Sequence, residues 1–250
     1  MSESAIRVAF LGATRGMGRA LARLLAERGD TLFLLGRGGD ELARSASDLS
    51  IRAGQARIGT ALCDLEQPET FAPALDAAEA ALGGLDAVIV TAGLFHSQDD
   101  LEADGELALR LLRVNFSHTV AFCEAARKRL LGGGGGKLCV FSSVAGERGR
   151  KPVAIYGASK AGLSRYLEAL DHKFRNQGLV TICVKPGFVK TGMTAGLDPP
   201  PFAGEPEAVA RRVLRAIDRG EPVVYAPAIW RWIMGVIRLL PRFVMRRIGF

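Results

Sequence analysis

The sequence contains few residues of the kinds that form disulfides or bind metals. Its 250 residues include only 4 cysteines and 3 histidines. The cysteines are scattered without a C-x-x-C pair, which is typical of small apolar residues in a reducing compartment. The histidines show no metal-ligand spacing with the cysteines. The sequence therefore predicts neither a disulfide scaffold nor a metal site.

Uninterrupted apolar runs long enough to cross a membrane are also absent. Arginines interrupt the apolar segment near the C-terminus too often for a transmembrane span. The first apolar run begins within a few residues of Met1 and leaves no room for a signal peptide. With 48% hydrophobic and 24% charged residues, the composition is that of a globular protein. We therefore expect a cytoplasmic protein with one sizeable core.

Short apolar runs alternate with amphipathic segments along the chain. The apolar runs predict strands near residues 6–11, 31–35, 57–62, 85–91, 138–142, 179–184 and 222–225. The amphipathic segments predict helices near residues 16–28, 39–52, 67–82, 104–130, 154–176 and 205–219. Such alternation is typical of a parallel sheet covered by helices on both faces. The sequence thus predicts an α/β fold, a Rossmann-type doubly wound sheet of about seven strands, in one domain over residues 1–228.

A glycine-rich turn follows the first predicted strand. Gly12, Gly16 and Gly18 lie between that strand and an amphipathic helix. A turn of this kind lets the backbone approach a pyrophosphate, and the helix N-terminus supplies NH groups and a positive dipole end. The spacing is G-x-x-x-G-x-G rather than the commoner G-x-G-x-x-G. Its position on the first βα turn nevertheless favours a nucleotide site over a simple tight turn.

A tyrosine and a lysine four residues apart lie on a predicted helix, downstream of two serines. Residues four apart share a helix face, so the Lys160 ammonium is expected beside the Tyr156 phenol. A neighbouring cation favours the phenolate and lowers the phenol pKa from its usual value of about 10. Ser142 and Ser143 precede this pair. Ser143, Tyr156 and Lys160 are therefore predicted to form an acid–base catalyst, whereas a Y-x-x-x-K alone would be an ordinary surface pair.

Together these motifs resemble the short-chain dehydrogenase/reductase family over nearly the whole chain. The resemblance rests on the glycine turn, Asp64, Thr91-Ala92-Gly93, Asn115, Ser143, the Tyr156–Lys160 signature, and Pro186-Gly187 with Val189 and Thr191. It implies a catalytic tetrad of Asn115, Ser143, Tyr156 and Lys160. It also implies cofactor contacts from Gly12, Thr14, Arg15, Gly16, Met17, Arg37, Asp64, Leu65, Ala92, Gly93, Tyr156, Lys160, Pro186, Gly187, Val189 and Thr191. The sequence departs from the family at Leu11, where a threonine is usual, and at Thr91, where an asparagine is usual.

The family resemblance also implies a mechanism and an assembly. Ser143 is expected to polarise a substrate carbonyl and Tyr156 to donate the proton. Lys160 would tune Tyr156 and hold the cofactor ribose, and Asn115 would position a water that links Lys160 to solvent. The resemblance implies a homodimer or homotetramer that acts on a small-molecule ketone or alcohol. Residues 94–96, 144–155 and 188–198 are expected to line the substrate pocket.

The end of the second predicted strand bears on the choice of nicotinamide cofactor. NAD-specific relatives place an acidic residue there to hold the ribose hydroxyls. Here Gly36 occupies the position, Arg37 follows it, and Arg15 lies in the glycine turn near the same corner. Two guanidinium groups without a carboxylate suit a 2′-phosphate. The sequence therefore predicts NADP(H).

The C-terminal segment 229–250 is basic and amphipathic. It contains five arginines and no acidic residue, and so accounts for five of the net +7 charges. At 100° per residue, Arg231, Arg238, Arg242 and Arg246 fall opposite Ile233, Val236, Leu240, Phe243 and Val244, with Trp230 and Trp232 between. This pattern favours a segment lying on an anionic membrane, and Pro241 predicts a break into two short helices. A lid or a subunit contact is the alternative.

These observations lead to an NADPH-dependent carbonyl reductase that acts on a hydrophobic or lipid-linked ketone, such as a sphingoid or acyl ketone. A soluble 3-oxoacyl or xenobiotic carbonyl reductase is the alternative within the enzyme class. A non-catalytic NADP(H)-binding sensor or scaffold is the alternative outside it, and the intact tetrad disfavours it. The net charge outside the C-terminal segment is only about +2, so nucleic-acid binding is not expected. The protein would be cytoplasmic, or peripheral on the inner face of a membrane.

Overall fold

The structure is a computed structural model that describes residues 5–54, 58–196 and 198–248. Some predicted features extend beyond these ranges. Residues 1–4 of the predicted domain, residue 57 of the third predicted strand, residue 197 of the pocket segment and residues 249–250 of the C-terminal segment lie outside the described residues.

Seven parallel strands form one sheet. They are β1 (Arg7–Leu11), β2 (Thr31–Gly36), β3 (Gly59–Leu62), β4 (Ala87–Val90), β5 (Gly136–Phe141), β6 (Leu179–Pro186) and β7 (Val223–Ala226). Their order is β3-β2-β1-β4-β5-β6-β7, and every neighbouring pair is parallel. The order reverses between β1 and β4, and ligands of open α/β sheets bind outside the carboxyl ends of the strands at such a point. The predicted fold class is confirmed.

Helices connect the strands and continue beyond the last one. They are α1 (Gly16–Arg28), α2 (Gly39–Ala53), α3 (Phe71–Leu82), α4 (Gln98–Ala103), α5 (Gly105–Leu112), α6 (His118–Gly132), α7 (Ala154–Phe174), α8 (Pro206–Arg219), α9 (Trp230–Leu239) and α10 (Arg242–Arg247). Among the described residues, no helix combines the length and apolarity needed to span a bilayer.

The predicted helix over 104–130 is interrupted. A π-helical turn at Arg113–Ser117 separates α5 from α6. The short helix α4 precedes them and was not predicted. The side chains of Ser97 and Asp104 accept hydrogen bonds from backbone N–H groups at the starts of α4 and α5. The π-helical turn therefore divides the predicted long helix, and the cap at Asp104 fixes where α5 begins.

Two apolar layers cover the sheet, one on each face. Side chains alternate across β1, so Val8 and Phe10 lie in one layer and Ala9 and Leu11 in the other. Helices α1, α2 and α8 contribute buried side chains to the first layer, and α3, α6 and α7 contribute to the second. Because both faces are buried, the inner strands are apolar at most positions, as the sequence indicates.

Candidate active site

The glycine turn has the backbone conformation that a phosphate cradle requires. Gly12 and Gly16 adopt φ values of 96° and 49°, which L side chains rarely adopt. A Cβ atom on Gly18 would collide with the Gly12 carbonyl oxygen and would lie 2.5 Å from Thr91 Oγ1. The turn therefore folds tightly onto the start of α1, and its glycines leave the approach to the helix N-terminus clear. The described residues fit a pyrophosphate at this position.

Thr91 shows how the chain tolerates its departure from the family pattern. Its Oγ1 donates a hydrogen bond of 2.8 Å to the Gly12 carbonyl oxygen. The backbone N–H of Thr91 also donates to the Leu11 carbonyl oxygen at 2.9 Å. The hydroxyl therefore ties the glycine turn to the end of β4. The substitution changes local hydrogen bonding and leaves the turn supported.

Close packing brings Ser143 to the first turn of α7. Ser143 follows β5, and its Oγ accepts a hydrogen bond of 3.1 Å from the Ala145 N–H. A Cβ atom on Gly146 would lie 2.6 Å from the Ala161 nitrogen, and one on Gly157 would lie 2.8 Å from the Ala145 oxygen. These two glycines allow backbone to meet backbone. The Ser143 hydroxyl thereby comes within hydrogen-bonding range of the Tyr156 phenol.

Ser142 has a different role from Ser143. It is buried, and its Oγ donates to the Lys160 carbonyl oxygen at 2.9 Å and lies 2.8 Å from Ser164 Oγ. These partners fix β5 against α7. Ser142 is thus a structural residue, and Ser143 is the serine that faces the tyrosine.

Burial raises the pKa of Tyr156 to about 12, against a smaller lowering by the hydrogen bond with Ser143. The expected lowering of this pKa by Lys160 is therefore wrong for the described structure. The Lys160 Nζ lies 5.8 Å from the centre of the Tyr156 ring and donates to the Phe141 carbonyl oxygen at 3.1 Å. Burial lowers the pKa of Lys160 to about 8. Desolvation is the largest cause of both shifts, so Tyr156 carries its proton at neutral pH.

Asn115 lies in the π-helical turn, where a bulge places a side chain out of helical register. Its Oδ1 accepts from the Leu94 N–H at 2.7 Å, and its Nδ2 donates to the Leu94 carbonyl oxygen at 2.7 Å. A Cβ atom on Gly93 would lie 3.1 Å from Asn115 Oδ1 and 3.6 Å from Lys160 Nζ. Asn115, Lys160 and the segment after β4 therefore converge. The Asn115 amide fixes residues 93–94, and its predicted link to a water stays a prediction.

The corner beside β2 contains carboxylates that the sequence interpretation did not assign. Arg15 Nε lies 2.6 Å from Glu41 Oε1, and Arg37 Nη1 lies 3.8 Å from Glu66 Oε1. The premise of two guanidinium groups without a carboxylate is therefore wrong. The sequence interpretation missed these acids because they come from α2 and from the loop after β3, and not from the end of β2. Arg15, with Arg44 and Arg37, holds the pKa of Glu41 below its usual value. Arg15 thus contacts the Glu41 carboxylate directly, and Arg44 and Arg37 act on it through longer-range attraction.

The remaining predicted cofactor residues lie along the carboxyl edge of the sheet. Asp64 Oδ1 accepts from the Glu66 N–H at 3.0 Å, and the side chain of Leu65 is buried in the core. On the other side of the edge, Thr191 approaches the glycine turn, since a Cβ atom on Gly16 would lie 3.3 Å from Thr191 Cγ2. Thr14, Met17, Ala92 and Gly187 are half-buried, and Pro186 and Val189 are buried. The structure therefore gathers the predicted cofactor residues along one cleft.

An open cavity of about 450 Å³ adjoins this cleft on the side of the segment after β6. Its lining includes Phe188, Lys190, Thr191 and Thr194. Nearer the tyrosine, the ring of Phe95 packs edge-on against the ring of Tyr156, with 5.1 Å between centroids. Residues from two of the three predicted pocket segments therefore lie at the carboxyl edge.

The C-terminal helices pack against the third pocket segment, which follows Ser143. Met234 and Ile237 are buried with Val144, and Tyr225, Trp230, Ile233 and Met245 pack around them. The indole of Trp230 contacts Gly187, where a Cβ atom would overlap it. The buried Nε1 of this indole has no hydrogen-bond partner among the residues that the structure describes. The sequence pattern places Trp230 between the arginine stripe and the apolar face of a membrane-bound helix. Its contact with Gly187 was missed because no local pattern in the sequence indicates it.

Three polar contacts hold the C-terminal helices to the same segment. Glu147 is buried and pairs with Lys185 and, at 3.1 Å, with Arg238. Arg148 donates to the Leu240 carbonyl oxygen at 2.7 Å, and Lys151 donates to the Arg246 carbonyl oxygen at 2.7 Å. The helices thus cover the loop that carries Ser143.

The predicted faces of the C-terminal segment need correction. Pro241 separates α9 from α10, as predicted. Ile233, however, packs against the protein, whereas Val236 and Phe243 are exposed. The predicted faces rest on a rotation of 100° per residue over the whole segment. That rotation does not continue through the break at Pro241, so residues of α9 and α10 do not share one helix axis. Arg238 remains exposed but pairs with Glu147, so it is tied to the protein.

Comparisons with known proteins agree with the site geometry. A model of the short chain dehydrogenase family matches residues 7–200. An uncharacterized oxidoreductase of Mycobacterium tuberculosis is 33% identical over 96% of each chain. Carbonyl reductase family member 4 of Danio rerio is 31% identical over 90% of each chain. A short chain dehydrogenase structure from Salmonella enterica superposes with a TM-score of 0.80, at 25% identity, over 89% of this chain and 96% of that one. The chain belongs to the short-chain dehydrogenase family of oxidoreductases, which bind a nicotinamide cofactor.

Proposed function

We propose that the protein reduces a ketone to an alcohol with NADPH. The observation that carries the proposal is the meeting of Ser143, Tyr156 and Lys160 beside the cofactor cleft, with Tyr156 protonated at neutral pH. A phenol that holds its proton is suited to donate it to a developing alkoxide. The relative named carbonyl reductase family member 4 supports the same reaction class.

The reaction divides between the cofactor and three side chains. The nicotinamide, when bound, supplies a hydride to the carbonyl carbon. The Ser143 hydroxyl donates a hydrogen bond to the carbonyl oxygen and stabilises the charge that develops there. Tyr156 Oη transfers its proton to that oxygen, which completes the alcohol. Lys160 ties α7 to the end of β5 through its hydrogen bond to the Phe141 carbonyl oxygen. While it is charged, Lys160 also favours the phenolate that remains on Tyr156 after the proton transfer.

The preference for NADPH is argued from charge. Arg15 pairs with Glu41, and Arg37 and Arg44 are near enough to lower the pKa of this carboxylate, so positive charge outweighs it in this corner. A 2′-phosphate carries up to two negative charges and can replace Glu41 as the partner of Arg15. The ribose of NADH offers only hydroxyl groups and gains no such contact.

A hydrophobic substrate is favoured by the side chains around the reacting position. Phe95 packs on Tyr156, and Trp230 lies on Gly187. Val144 follows Ser143 directly and joins the apolar cluster with Met234 and Ile237. Apolar walls of this kind bind the hydrocarbon part of a ligand, and the few polar groups fix its orientation.

The cofactor proposal predicts the effect of removing Arg37. Arg37→Ala should reduce the preference for NADPH over NADH, measured as the ratio of kcat/KM values, by roughly ten- to a hundredfold. This range follows from about 1.5–3 kcal/mol for a charge-assisted hydrogen bond. Turnover at saturating NADPH should change little.

Two further variants control this measurement. Arg52→Ala removes an exposed arginine at the far end of α2 and should leave the ratio unchanged. Glu41→Gln releases Arg15 from its partner and should raise the preference for NADPH. A wild-type enzyme that prefers NADH would contradict the proposal, as would an Arg37→Ala ratio equal to the wild-type ratio.

The two pKa values predict how the reduction depends on pH. Tyr156 keeps its proton far above neutrality, because burial raises its pKa to about 12. Lys160 is charged below its pKa of about 8 and loses that charge above it. We therefore expect kcat/KM for the ketone to stay level between pH 6 and 7 and to fall as pH rises through about 8. Initial-rate profiles in buffers of constant ionic strength would test this, and a fall centred below pH 7 would contradict it.

A further inference from the structure

The outward side of the C-terminal helices exposes four large apolar side chains in a row. Trp232, Val236, Leu239 and Phe243 are 76%, 64%, 85% and 62% exposed. Three of them follow one another at i, i+4 and i+7 along α9, and the fourth lies at the start of α10. We call these four residues the outer ridge. Single exposed apolar residues are common on protein surfaces, but four large ones on two consecutive short helices, three of them on one face of α9, indicate a contact surface.

The outer ridge is held at a fixed place on the protein. The opposite side of α9 contributes Met234 and Ile237 to the cluster around Val144. Arg238 pairs with Glu147, and the carbonyl oxygens of Leu240 and Arg246 accept hydrogen bonds from the Ser143 loop. Both sides of α9 therefore carry apolar side chains, and among the described residues packing covers the side of Met234 and Ile237 and leaves the outer ridge exposed.

Unpaired positive charge surrounds the outer ridge. Arg231, Arg242, Arg246 and Arg247 are exposed, and no acidic side chain pairs with any of the four within the described residues. The segment 229–250 itself contains no acidic residue. An apolar row bordered by arginines combines the two groups that bind an anionic bilayer, namely side chains that enter the interface and cations that meet the headgroups.

We propose that the outer ridge docks on an anionic lipid bilayer, with Trp232, Val236, Leu239 and Phe243 entering the headgroup region. A second copy of the chain fits less well. A two-fold interface pairs a patch with itself, so the four arginines of one copy would face those of the other without acidic partners. Burying unpaired like charges is costly, whereas anionic headgroups neutralise them. Charge complementarity thus selects the bilayer.

Docking would also place the pocket near the membrane, and this consequence rests on the proposed function. The same helix α9 presents the outer ridge on one side and Trp230, beside Gly187, toward the cleft. A ketone with a long hydrocarbon part that resides in the bilayer would then meet the cleft with little exposure to water. Its substrate class would be membrane-dissolved amphiphilic ketones.

The docking proposal is tested by flotation of purified full-length protein with vesicles. We expect binding to phosphatidylcholine vesicles that contain about 30% phosphatidylglycerol, and little binding to phosphatidylcholine alone. One molar salt, which shortens the Debye length to about 3 Å, should release most of the protein. Arg242→Gln combined with Arg246→Gln should weaken binding about thirtyfold, and Trp232→Ala combined with Leu239→Ser should weaken it at least tenfold.

Matched variants away from the outer ridge separate docking from general stickiness. Ile51→Ser removes another exposed apolar side chain, 82% exposed on α2, and Arg52→Gln removes a neighbouring charge; neither should change binding. Thermal melting should be unaltered in the ridge variants, because the substituted side chains are exposed.

Three outcomes would overturn the proposal. They are absence of vesicle binding, equal binding to neutral vesicles, and ridge variants that bind like wild type. Loss of a dimer in the ridge variants, measured by light scattering, together with absent vesicle binding would assign the ridge to a second copy. Tyr156→Phe should still bind vesicles, so a failure of docking and a failure of the proposed reaction are distinguishable.

Discussion

Tyr156→Phe is expected to lower the rate of ketone reduction by roughly 10²–10⁴-fold, the usual contribution of a positioned general acid. The substitution removes the phenol oxygen that carries the transferable proton and keeps the ring that packs against Phe95. Cofactor binding, measured by the fluorescence of NADPH, should be largely retained. The loss should therefore fall on kcat rather than on the affinity for cofactor.

Tyr166→Phe is the matched control for this experiment. The Tyr166 hydroxyl lies farther along α7 than Tyr156 and donates to Glu124 at 2.8 Å. Its removal should cost about 1 kcal/mol of folding stability and leave turnover unchanged. Near-normal activity of Tyr156→Phe would show that another group supplies the proton. A melting temperature close to that of wild type would show that its loss of activity is chemical.

Where chemistry dictates a residue type, local patterns in the sequence predicted which side chains the fold brings together. Gly12 and Gly16 have positive φ values, which favour glycine over other residues. Their position between a strand and a helix indicates a turn that can approach a phosphate. The i, i+4 spacing of Tyr156 and Lys160 likewise predicts a shared helix face. These local constraints predicted the glycine turn and the neighbouring Tyr156 and Lys160. The alternating apolar runs predicted the strands and the sheet class, and the family resemblance implied that Ser143 joins the pair.

Features set by distant contacts could not be read from the sequence. The pairing of Arg15 with Glu41 depends on how α2 packs beside the glycine turn. The raised pKa of Tyr156 depends on burial by residues far along the chain, whereas the sequence shows only the neighbouring cation. The two sides of α9 depend on its packing against Val144, and the position of Trp230 beside Gly187 follows from the same packing. In each case tertiary context decided between alternatives that the local pattern left open.

The tightest contact of the cofactor cradle leads to the second large effect. A methyl group on Gly18 would collide with the Gly12 carbonyl oxygen and crowd Thr91 Oγ1, which bonds to that same oxygen at 2.8 Å. Gly18→Ala must therefore displace the turn on which a pyrophosphate would rest. In enzymes a misplacement of about 1 Å can lower the reaction rate by about a hundredfold, and we take a loss of the same size for cofactor affinity. We expect the dissociation constant for NADPH, measured by calorimetry, to rise by about that factor.

Gly235→Ala provides the opposite expectation within the same chain. Gly235 lies inside α9, and no atom would lie within 4 Å of an added Cβ. Alanine there should stabilise the helix by about 0.5–1 kcal/mol and leave NADPH affinity unchanged. The contrast isolates steric crowding at the turn from the general effect of replacing glycine. If Gly18→Ala bound NADPH as tightly as Gly235→Ala does, the turn would have room that the described geometry denies it, and the assignment of the cradle to Gly12, Gly16 and Gly18 would be wrong.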